Sequence, residues 1–386
     1  MIYLDYAATT PLDPQVREAM LPWLGSEDGY GNPASDHALG LRARGAVEQA
    51  RAQVAALIGA RPEEIVWTSG ATEANNLALK GALEFRGPAP AHIVTSRIEH
   101  KAVLDTCRYL ETRGSRVSYL EPEADGHIAV AAVMEALRPD TALVSLMWVN
   151  NETGVINPIL ELAPELRARG VLLHVDAVQA AGRVPIDLGQ LPVDLLSLSA
   201  HKCYGPKGIG ALFVRKRPRA RLAPQLHGGG HEQGMRSGTL ATHQIVGMGV
   251  ACVLAQSALA SENARLRPLR DRLWARLNEL PRVHRNGAEA HTVPQLLNVS
   301  FEGVEGESLR AMLPALAVSS GSACSSATRE PSYVLRALGR DDELAGASLR
   351  FSLGRATTPS QIETAADQVM AAVRLLRELS PRWRPS

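Results

Sequence analysis

Between about residue 60 and residue 215, short apolar or β-branched runs alternate with stretches of helical periodicity. This alternation is typical of βαβ units, which build a mostly parallel sheet with helices on both faces. The predicted strands are residues 64–68, 92–96, 116–120, 142–147, 171–176, 195–199 and 211–214. The pattern therefore predicts a large α/β domain, whose ligands bind beyond the carboxyl ends of its strands.

Two long helices are predicted on either side of this region. Apolar side chains recur every three or four positions over residues 38–58, and Gly59 ends the stripe. A second helical stretch runs from residue 239 to about 280, and we expect it to break or bend near Pro268. We interpret this second stretch as the connection between two domains.

After residue 281 the pattern changes to fewer strands and more helices. Strands are predicted at residues 296–301 and 349–353. The last helix ends at Leu379, and its start has the residues of a capping box and a proline in the first turn, namely Thr358, Pro359 and Gln361. We therefore expect a smaller α+β domain here.

The charge balance limits the partners of this chain. Among 386 residues, 41 basic side chains face 40 acidic ones, so no overall field attracts nucleic acid or an anionic membrane. The start of the chain lacks the features of a signal peptide, and no apolar run of the ~18 residues that span a membrane is evident. The spacing of the four cysteines is not that of a disulfide framework or a zinc site. We expect a cytoplasmic protein with reduced thiols.

A lysine follows the predicted strand at residues 195–199, in the segment SAHKCYGPKGIG. At the carboxyl end of a strand, Lys202 is placed to lose its proton in a partly desolvated site and to form a Schiff base. A solvated lysine at the start of a loop is the alternative.

Two other strands end in groups that complete a pattern with this lysine. Asp176 is placed to keep a pyridinium nitrogen protonated, although it would also serve as the N-cap of a helix. The backbone N–H groups of residues 69–75 and the Thr72 hydroxyl suit a phosphate at a helix N-terminus. A phosphate site, an acid and a lysine are the groups that pyridoxal phosphate requires.

The cysteines differ in their surroundings. Cys324 lies in SSGSACSS, whose small polar residues predict an exposed, mobile loop, and a thiolate there can attack sulfur and carry it elsewhere. Cys252 lies among apolar residues, and we interpret Cys107 and Cys203 as structural. Cys203 is a second candidate, but continued strand geometry would point it away from the Lys202 side chain.

Residues 215–221 contain five basic side chains in seven positions. Such a run is often solvated surface. The alternative is a docking patch beside the active site, which would attract an acidic partner protein.

The chain resembles the cysteine desulfurases of the NifS/IscS type, which are fold type I pyridoxal-phosphate enzymes in the class V aminotransferase group. The resemblance covers nearly the whole chain and follows the family's order. Its motifs are LDYAATTP (4–11), GNPAS (31–35), TSGATEANN (68–76), EHKAV (99–103), VNNETG (149–154), HVDAVQ (174–179), SAHKCYGPKGIG (199–210), HGGGHEQGMRSGT (227–239), SSGSACSS (319–326) and LRFSLGR (349–355).

The resemblance implies a role for each matching residue. Lys202 would bear the cofactor, His100 would stack on its ring and act in proton transfer, and Cys324 would accept the sulfur. The remaining cofactor contacts would come from Ala71, Thr72, Asn151, Asp176, Gln179, Ser199, His201 and Thr239. Thr239 would reach the phosphate of a neighbouring subunit, which implies a homodimer. Asn151 and Arg350 would hold the substrate carboxylate, a task that suits a bidentate arginine.

Three of these residues also have simpler interpretations. His100 would ordinarily be a buried, hydrogen-bonded histidine. Arg350 alternates with Leu349 and Phe351 on a strand, so it faces either solvent or a cleft. Asn151 follows an apolar run and could form an Asx-turn.

The resemblance also implies the reaction and the domain division. L-Cysteine would become L-alanine, and a persulfide on Cys324 would pass sulfur to acceptor or iron–sulfur scaffold proteins. No metal is expected, except an iron–sulfur cluster held transiently by Cys324. The large domain would comprise residues 13–255, and the small domain residues 1–12 and 256–386.

Two rival functions remain at this point. One is a selenocysteine lyase or another pyridoxal-phosphate enzyme, and the other is a non-catalytic scaffold for sulfur carriers. The thiol in residues 319–326 argues against an aminotransferase. Lys202, Asp176 and Cys324 together argue against a scaffold. Because the sequence ends sooner after LSPRW than in the housekeeping members, we expect the usual scaffold contact to be altered, and iron–sulfur assembly, nitrogenase clusters, tRNA thiolation and DNA phosphorothioation all stay open.

Overall fold

The computed structural model describes residues 1–25, 28–87, 90–320, 330–380 and 383. Within them the strands are β1 (Ile2–Tyr3), β2 (Ile65–Thr68), β3 (His92–Ser96), β4 (Arg116–Leu120), β5 (Thr141–Met147), β6 (Leu172–Asp176), β7 (Leu195–Ser199), β8 (Gly210–Val214), β9 (Val283–Arg285), β10 (Leu296–Phe301), β11 (Leu316–Ala317) and β12 (Ser348–Ser352). The helices are α1 (Pro14–Met20), α2 (Ala38–Leu57), α3 (Ala71–Arg86), α4 (Lys101–Thr112), α5 (Val130–Ala136), α6 (Ile159–Ala168), α7 (Thr242–Leu277), α8 (Gly306–Ala311), α9 (Tyr333–Ala337), α10 (Asp342–Gly346) and α11 (Pro359–Leu379).

Seven strands form the central sheet, in the order β2, β8, β7, β6, β5, β3, β4. Strand β8 is antiparallel to both neighbours, and the other four pairs are parallel. All seven strands predicted from the alternating pattern are confirmed, each within one residue at either end. The carboxyl ends of six strands and the amino end of β8 therefore meet at one edge.

Alternate residues of the strands enter two apolar clusters, one on each face of the sheet. Leu195 of β7, for example, belongs to one cluster and its neighbour Leu196 to the other. Strand β4 at the edge is partly exposed, whereas the residues of β3, β5 and β7 are buried throughout. Burial on both faces explains why these strands are continuous apolar runs in the sequence.

Helix α7 continues through Pro268 for 36 residues, so a break there is wrong, while the alternative of a bend stays a prediction. A proline removes one backbone hydrogen bond, but packing on both sides of it holds this helix in place. Ile245 and Met248 lie in the cluster at the sheet, while Leu269 and Leu273 lie in a separate cluster formed mainly by the C-terminal part of the chain.

Helix α7 also corrects the expectation that the chain has no apolar run long enough to span a membrane. An 18-residue window of α7 has a mean hydropathy of 1.5, enough by length and composition to cross a membrane. In the structure, however, α7 packs along α2 and also contacts α1 and α11. Of that window 39% is buried, and a helix that packs against other helices of a folded domain can have the same composition.

The C-terminal part builds its own three-stranded antiparallel sheet, in the order β12, β10, β9. Helix α11 begins with the predicted capping box between Thr358 and Gln361 and ends at Leu379, as expected. The chain's N-terminus joins this part, because β1 pairs with β11 and Leu4 lies in its apolar cluster. Strands β1, β9 and β11 have two or three residues each, too few for the sequence to show a period. The domain boundary at residue 255 stays a prediction.

Candidate active site

A cavity of about 450 Å³ opens at the edge of the sheet where the six strands end. The predicted site residues that line it are Ala71, Thr72, His100, Asn151, Asp176, Gln179, Ser199, His201, Lys202 and Arg350. Thr239 is exposed and is not among the lining residues. Cys324 lies outside the described residues.

Lys202 reaches the cavity from a short 3-10 helix, Ala200–Lys202, that follows β7. Its Nζ donates hydrogen bonds of 2.7 Å to the carbonyl oxygens of Ala7 and Ala8. The strand ends at Ser199, so the assumption that strand geometry continues through Lys202 and Cys203 was wrong. The Cys203 thiol nevertheless points elsewhere, since its Sγ donates to the Ala181 carbonyl at 3.2 Å.

Asp176 ends β6 and lines the cavity with only 5% of its surface exposed. Its Oδ1 accepts the Val178 N–H at 3.1 Å, and its Oδ2 accepts the Asn75 side-chain N–H at 2.8 Å. Turns rather than a helix follow Asp176, so its alternative interpretation as a helix N-cap is wrong. A carboxylate held by two donors keeps lone pairs for a third partner in the cavity.

Helix α3 begins at the cavity, directly after Gly70. Gly70 has φ +152°, a backbone conformation that side-chain-bearing residues rarely adopt, and an added Cβ would meet open space. Ala71 and Thr72 in the first turn line the cavity. Backbone N–H groups at a helix start attract anions, so this turn suits a phosphate.

Glu73, the acidic residue in this first turn, already has hydrogen-bond partners within the protein. Glu73 accepts the Ser69 N–H at 2.7 Å and pairs with Arg236 at 2.8 Å. Burial opposes ionisation, but these hydrogen bonds outweigh it and hold the pKa of Glu73 below its ordinary value. The Arg236 charge offsets that of Glu73, which would otherwise repel an anion at the helix start.

Glu99 and His100 lie in the short connection between β3 and α4. His100 is the N-cap of α4, and its Nδ1 accepts the Ala102 N–H at 3.1 Å. The neutral ring therefore carries its proton on Nε2. Glu99 is fully buried and accepts the Ser96 hydroxyl at 2.7 Å and the Met147 N–H at 3.0 Å. Burial, with the nearby Asp176 charge, raises the pKa of Glu99 to about 8.

His201 lines the same cavity as a neutral ring. Burial lowers its pKa to about 4, and the Lys202 and Lys207 charges act in the same direction. Its Nδ1 lies 3.2 Å from the Thr9 hydroxyl. A neutral imidazole can donate a hydrogen bond to an anion without the desolvation cost of a buried charge.

Arg350 faces the cavity, while its neighbours Leu349 and Phe351 belong to the apolar cluster of the C-terminal part. Its Nη1 donates to the Asn151 carbonyl at 2.9 Å and its Nη2 to Asp5 at 2.7 Å. Two buried polar atoms here, Arg350 Nε and Asn151 Oδ1, have no hydrogen-bond partner among the described residues. Leaving such groups unpaired is costly, so the pair suits a polar ligand.

The basic segment at residues 215–221 does not lie beside this cavity. It follows β8, which runs opposite to the other strands: Gly210 pairs with Ser199 at the cavity edge, whereas Val214 pairs with Leu195 at the far edge. The predicted position beside the active site is therefore wrong. Arg215 is itself structural, because it donates to three backbone carbonyls, those of Leu188, Leu191 and Val193.

Cys107, Cys203 and Cys252 are buried, as expected for structural thiols. Burial raises the pKa of all three, that of Cys107 to about 12. None of them is therefore a ready nucleophile. Over the described part of the chain, no group of three or more His, Cys, Asp or Glu side chains could hold a metal ion.

Several residues of the site were not singled out from the sequence. Asp5, Asn75 and Glu99 lie inside quoted motifs, but a motif does not state which of its side chains touch the site. Ala7 and Ala8 contribute only carbonyl oxygens, which leave no trace in residue type. Contacts between distant parts of the chain were the missing information.

Comparison with known proteins shows the family. The model of the class-V aminotransferases matches residues 2–364. The cysteine desulfurase IscS of Pseudomonas aeruginosa is 60% identical over 383 residues, which are 99% of this chain and 95% of that protein.

Solved structures agree with this match. A NifS-like protein superposes with a TM-score of 0.90 at 35% identity, covering 97% of this chain and 100% of that one. The structure of SspA in complex with cysteine gives a TM-score of 0.82 at 39% identity, covering 92% and 99%. The chain therefore belongs to the class-V aminotransferase family and, within it, to the fold type I, pyridoxal-phosphate-dependent cysteine desulfurases.

Proposed function

We propose that this chain converts L-cysteine into L-alanine and passes the sulfur, as a persulfide on Cys324, to acceptor proteins. One observation supports this most directly: Arg350 and Asn151 line the same cavity as Lys202 and Asp176, and the Arg350 guanidinium keeps a donor, Nε–H, that has no hydrogen-bond partner among the described residues. An amino acid requires a carboxylate site of this kind. The relative SspA, whose structure contains cysteine, is consistent with that substrate.

The cavity residues fit pyridoxal phosphate. The start of α3 with Ser199 and His201 would hold its phosphate, and Asp176 would hold its ring nitrogen. The open space at Gly70 and the neutral His201 leave room and donors for an anion. When bound, the cofactor supplies an electron sink for the substrate's α-carbon.

The chain's own residues would bind the substrate and move its protons. Arg350, fixed by Asp5 and the Asn151 carbonyl, would orient the carboxylate at the cavity wall. The Lys202 amine is the base for the Cα proton. His100 holds a proton on Nε2, at the cavity wall, from which it can pass to a leaving or arriving group.

Sulfur transfer would be a displacement at the substrate sulfur. The Cys324 thiolate attacks that sulfur, an S–S bond forms, and the Cβ–S bond breaks with its electron pair kept by carbon. The carbon skeleton takes up a proton and leaves as alanine. Low-pKa, accessible thiols do such chemistry, and the three buried cysteines have raised pKa values.

Cys324→Ala is expected to abolish persulfide formation and to lower alanine production at least roughly 10³-fold, because no other nucleophile replaces the thiol. Alanine and sulfide are assayed together, with L-cysteine and a reductant. Cys252→Ala, which trims a buried thiol in α7, is the matched control and keeps its activity. Sulfide release by Cys324→Ala at the wild-type rate would contradict the role of Cys324.

Arg350→Lys is expected to raise KM for L-cysteine about tenfold or more, with a smaller change in kcat. A single ammonium group cannot reproduce the planar set of donors that binds Asp5, the Asn151 carbonyl and the substrate together. Steady-state kinetics with L-cysteine measure the two constants separately. An unchanged KM would rule out Arg350 as the carboxylate site.

The partners follow from the same proposal. Thr239, exposed outside the cavity, would reach the phosphate of a second subunit in a cytoplasmic homodimer. Iron–sulfur scaffolds or other sulfur carriers would accept the persulfide, with no direct contact to nucleic acid or membrane.

A further inference from the structure

We propose that Asn75 is a positioning residue that fixes the Asp176 carboxylate for its contact with the cofactor ring, an inference that rests on the proposed pyridoxal-phosphate site. Asn75 is fully buried on α3, and its Nδ2 donates to Asp176 Oδ2 at 2.8 Å. An ionised carboxylate only accepts hydrogen bonds, so the amide must present its NH₂ group to Asp176. This orientation is therefore required by the chemistry of the pair.

The carboxylate of Asp176 is fixed from two directions. The Val178 N–H binds Oδ1 at 3.1 Å, and the Asn75 amide binds Oδ2. A single donor leaves a carboxylate free to rotate about that bond, whereas two donors on separate oxygens fix its plane. Both contacts hold the carboxylate in one orientation, and the ring nitrogen needs an acid in a fixed position as its partner.

The amide oxygen of Asn75 indicates that protein stability alone does not explain the contact between Asn75 and Asp176. Asn75 Oδ1 is buried and has no hydrogen-bond partner among the described residues. An unsatisfied buried acceptor costs stability, so a leucine of similar shape would serve the fold better. The bond to Asp176 is the benefit that offsets this cost.

Helix α3 links the two ends of the cofactor site through this residue. Ala71 and Asn75 are four positions apart, so they lie on the same face of the helix, one turn from each other. Ala71 lines the phosphate end of the cavity. The helix thereby sets the phosphate site and the Asp176 carboxylate at a fixed separation.

The test compares Asn75→Leu and Asn75→Ala with the wild-type holoenzyme, without substrate. Loss of the donor destabilises the Asp176 charge, so the proton of the ring nitrogen shifts towards Asp176 and the ring loses positive charge. The pKa of the cofactor's visible band then rises by about one unit, the effect of one hydrogen bond to a charged group. Pyridoxal phosphate should also leave the holoenzyme roughly tenfold faster in dialysis.

Asn76→Leu is the matched control, because Asn76 is the next residue of α3 and, among the residues the structure describes, its side chain binds only the Thr72 carbonyl of the same helix. Its visible band is expected to titrate as in the wild type. If both Asn75 variants titrate and retain the cofactor normally, or fail to fold without cofactor, Asn75 is structural and the inference is wrong. A wild-type protein that takes up no pyridoxal phosphate would instead contradict the proposed function itself.

Discussion

Lys202→Ala is expected to lower kcat/KM for L-cysteine by roughly 10⁴-fold or more. The Lys202 amine is the group proposed both to bind the cofactor covalently and to remove the Cα proton. Its position supports both tasks, because Nζ lies at the cavity wall, held by the Ala7 and Ala8 carbonyls. Alanine at this position removes both functions and leaves the cavity residues around it intact.

The matched control is Lys207→Ala, since Lys207 lines the same cavity and has the same charge. Reduction of the holoenzyme with borohydride, followed by peptide mass spectrometry, locates the lysine that binds the cofactor. The label is expected on Lys202 and is expected to persist in Lys207→Ala. A label on Lys207, or full activity in Lys202→Ala, would contradict the assignment.

Glu99→Gln is expected to stabilise the protein increasingly as pH rises from about 5 to about 8. The pKa of Glu99 is about 8 in the folded protein, against an ordinary value of 4.5. Between these values the folded state binds a proton that the unfolded state does not, so the wild type loses stability as pH rises through this window. Glutamine has no proton to lose, and its Oε1 can accept the same bonds from Ser96 and the Met147 N–H.

The difference in free energy of unfolding should reach the order of 5 kcal/mol above pH 8 and be small at pH 5. Thermal unfolding of both proteins at pH 5.5 and pH 8.5, at one scan rate, measures this change as a difference in Tm. Glu135→Gln, an exposed carboxyl on α5, is the control and should show little difference between the two pH values. If the Tm of Glu99→Gln at pH 8.5 equals that of the wild type, the buried Glu99 carboxyl ionises without destabilising the fold, and the prediction is wrong.

The sheet was predictable from the sequence because most of its strands are buried on both faces, so they are short, mainly apolar or β-branched runs between stretches of helical periodicity. All seven central strands were found in this way, and the capping box at Thr358 located the start of α11. Helix α7 was misjudged at Pro268, since the packing that keeps the helix intact involves residues far apart in the sequence. The short strands β1, β9 and β11 exist only through their partners.

The sequence by itself determined the fold class, the family and about half of the residues that line the cavity, because strand ends and motifs are local in the chain. Only the tertiary structure decided how those residues act on each other. The direction of β8 placed the basic segment at the far edge of the sheet. The contacts of Arg350 with Asp5 and of Asp176 with Asn75 join positions 345 and 101 residues apart. Hydrogen bonds between such distant residues depend on the folded geometry, which no local pattern in a sequence records.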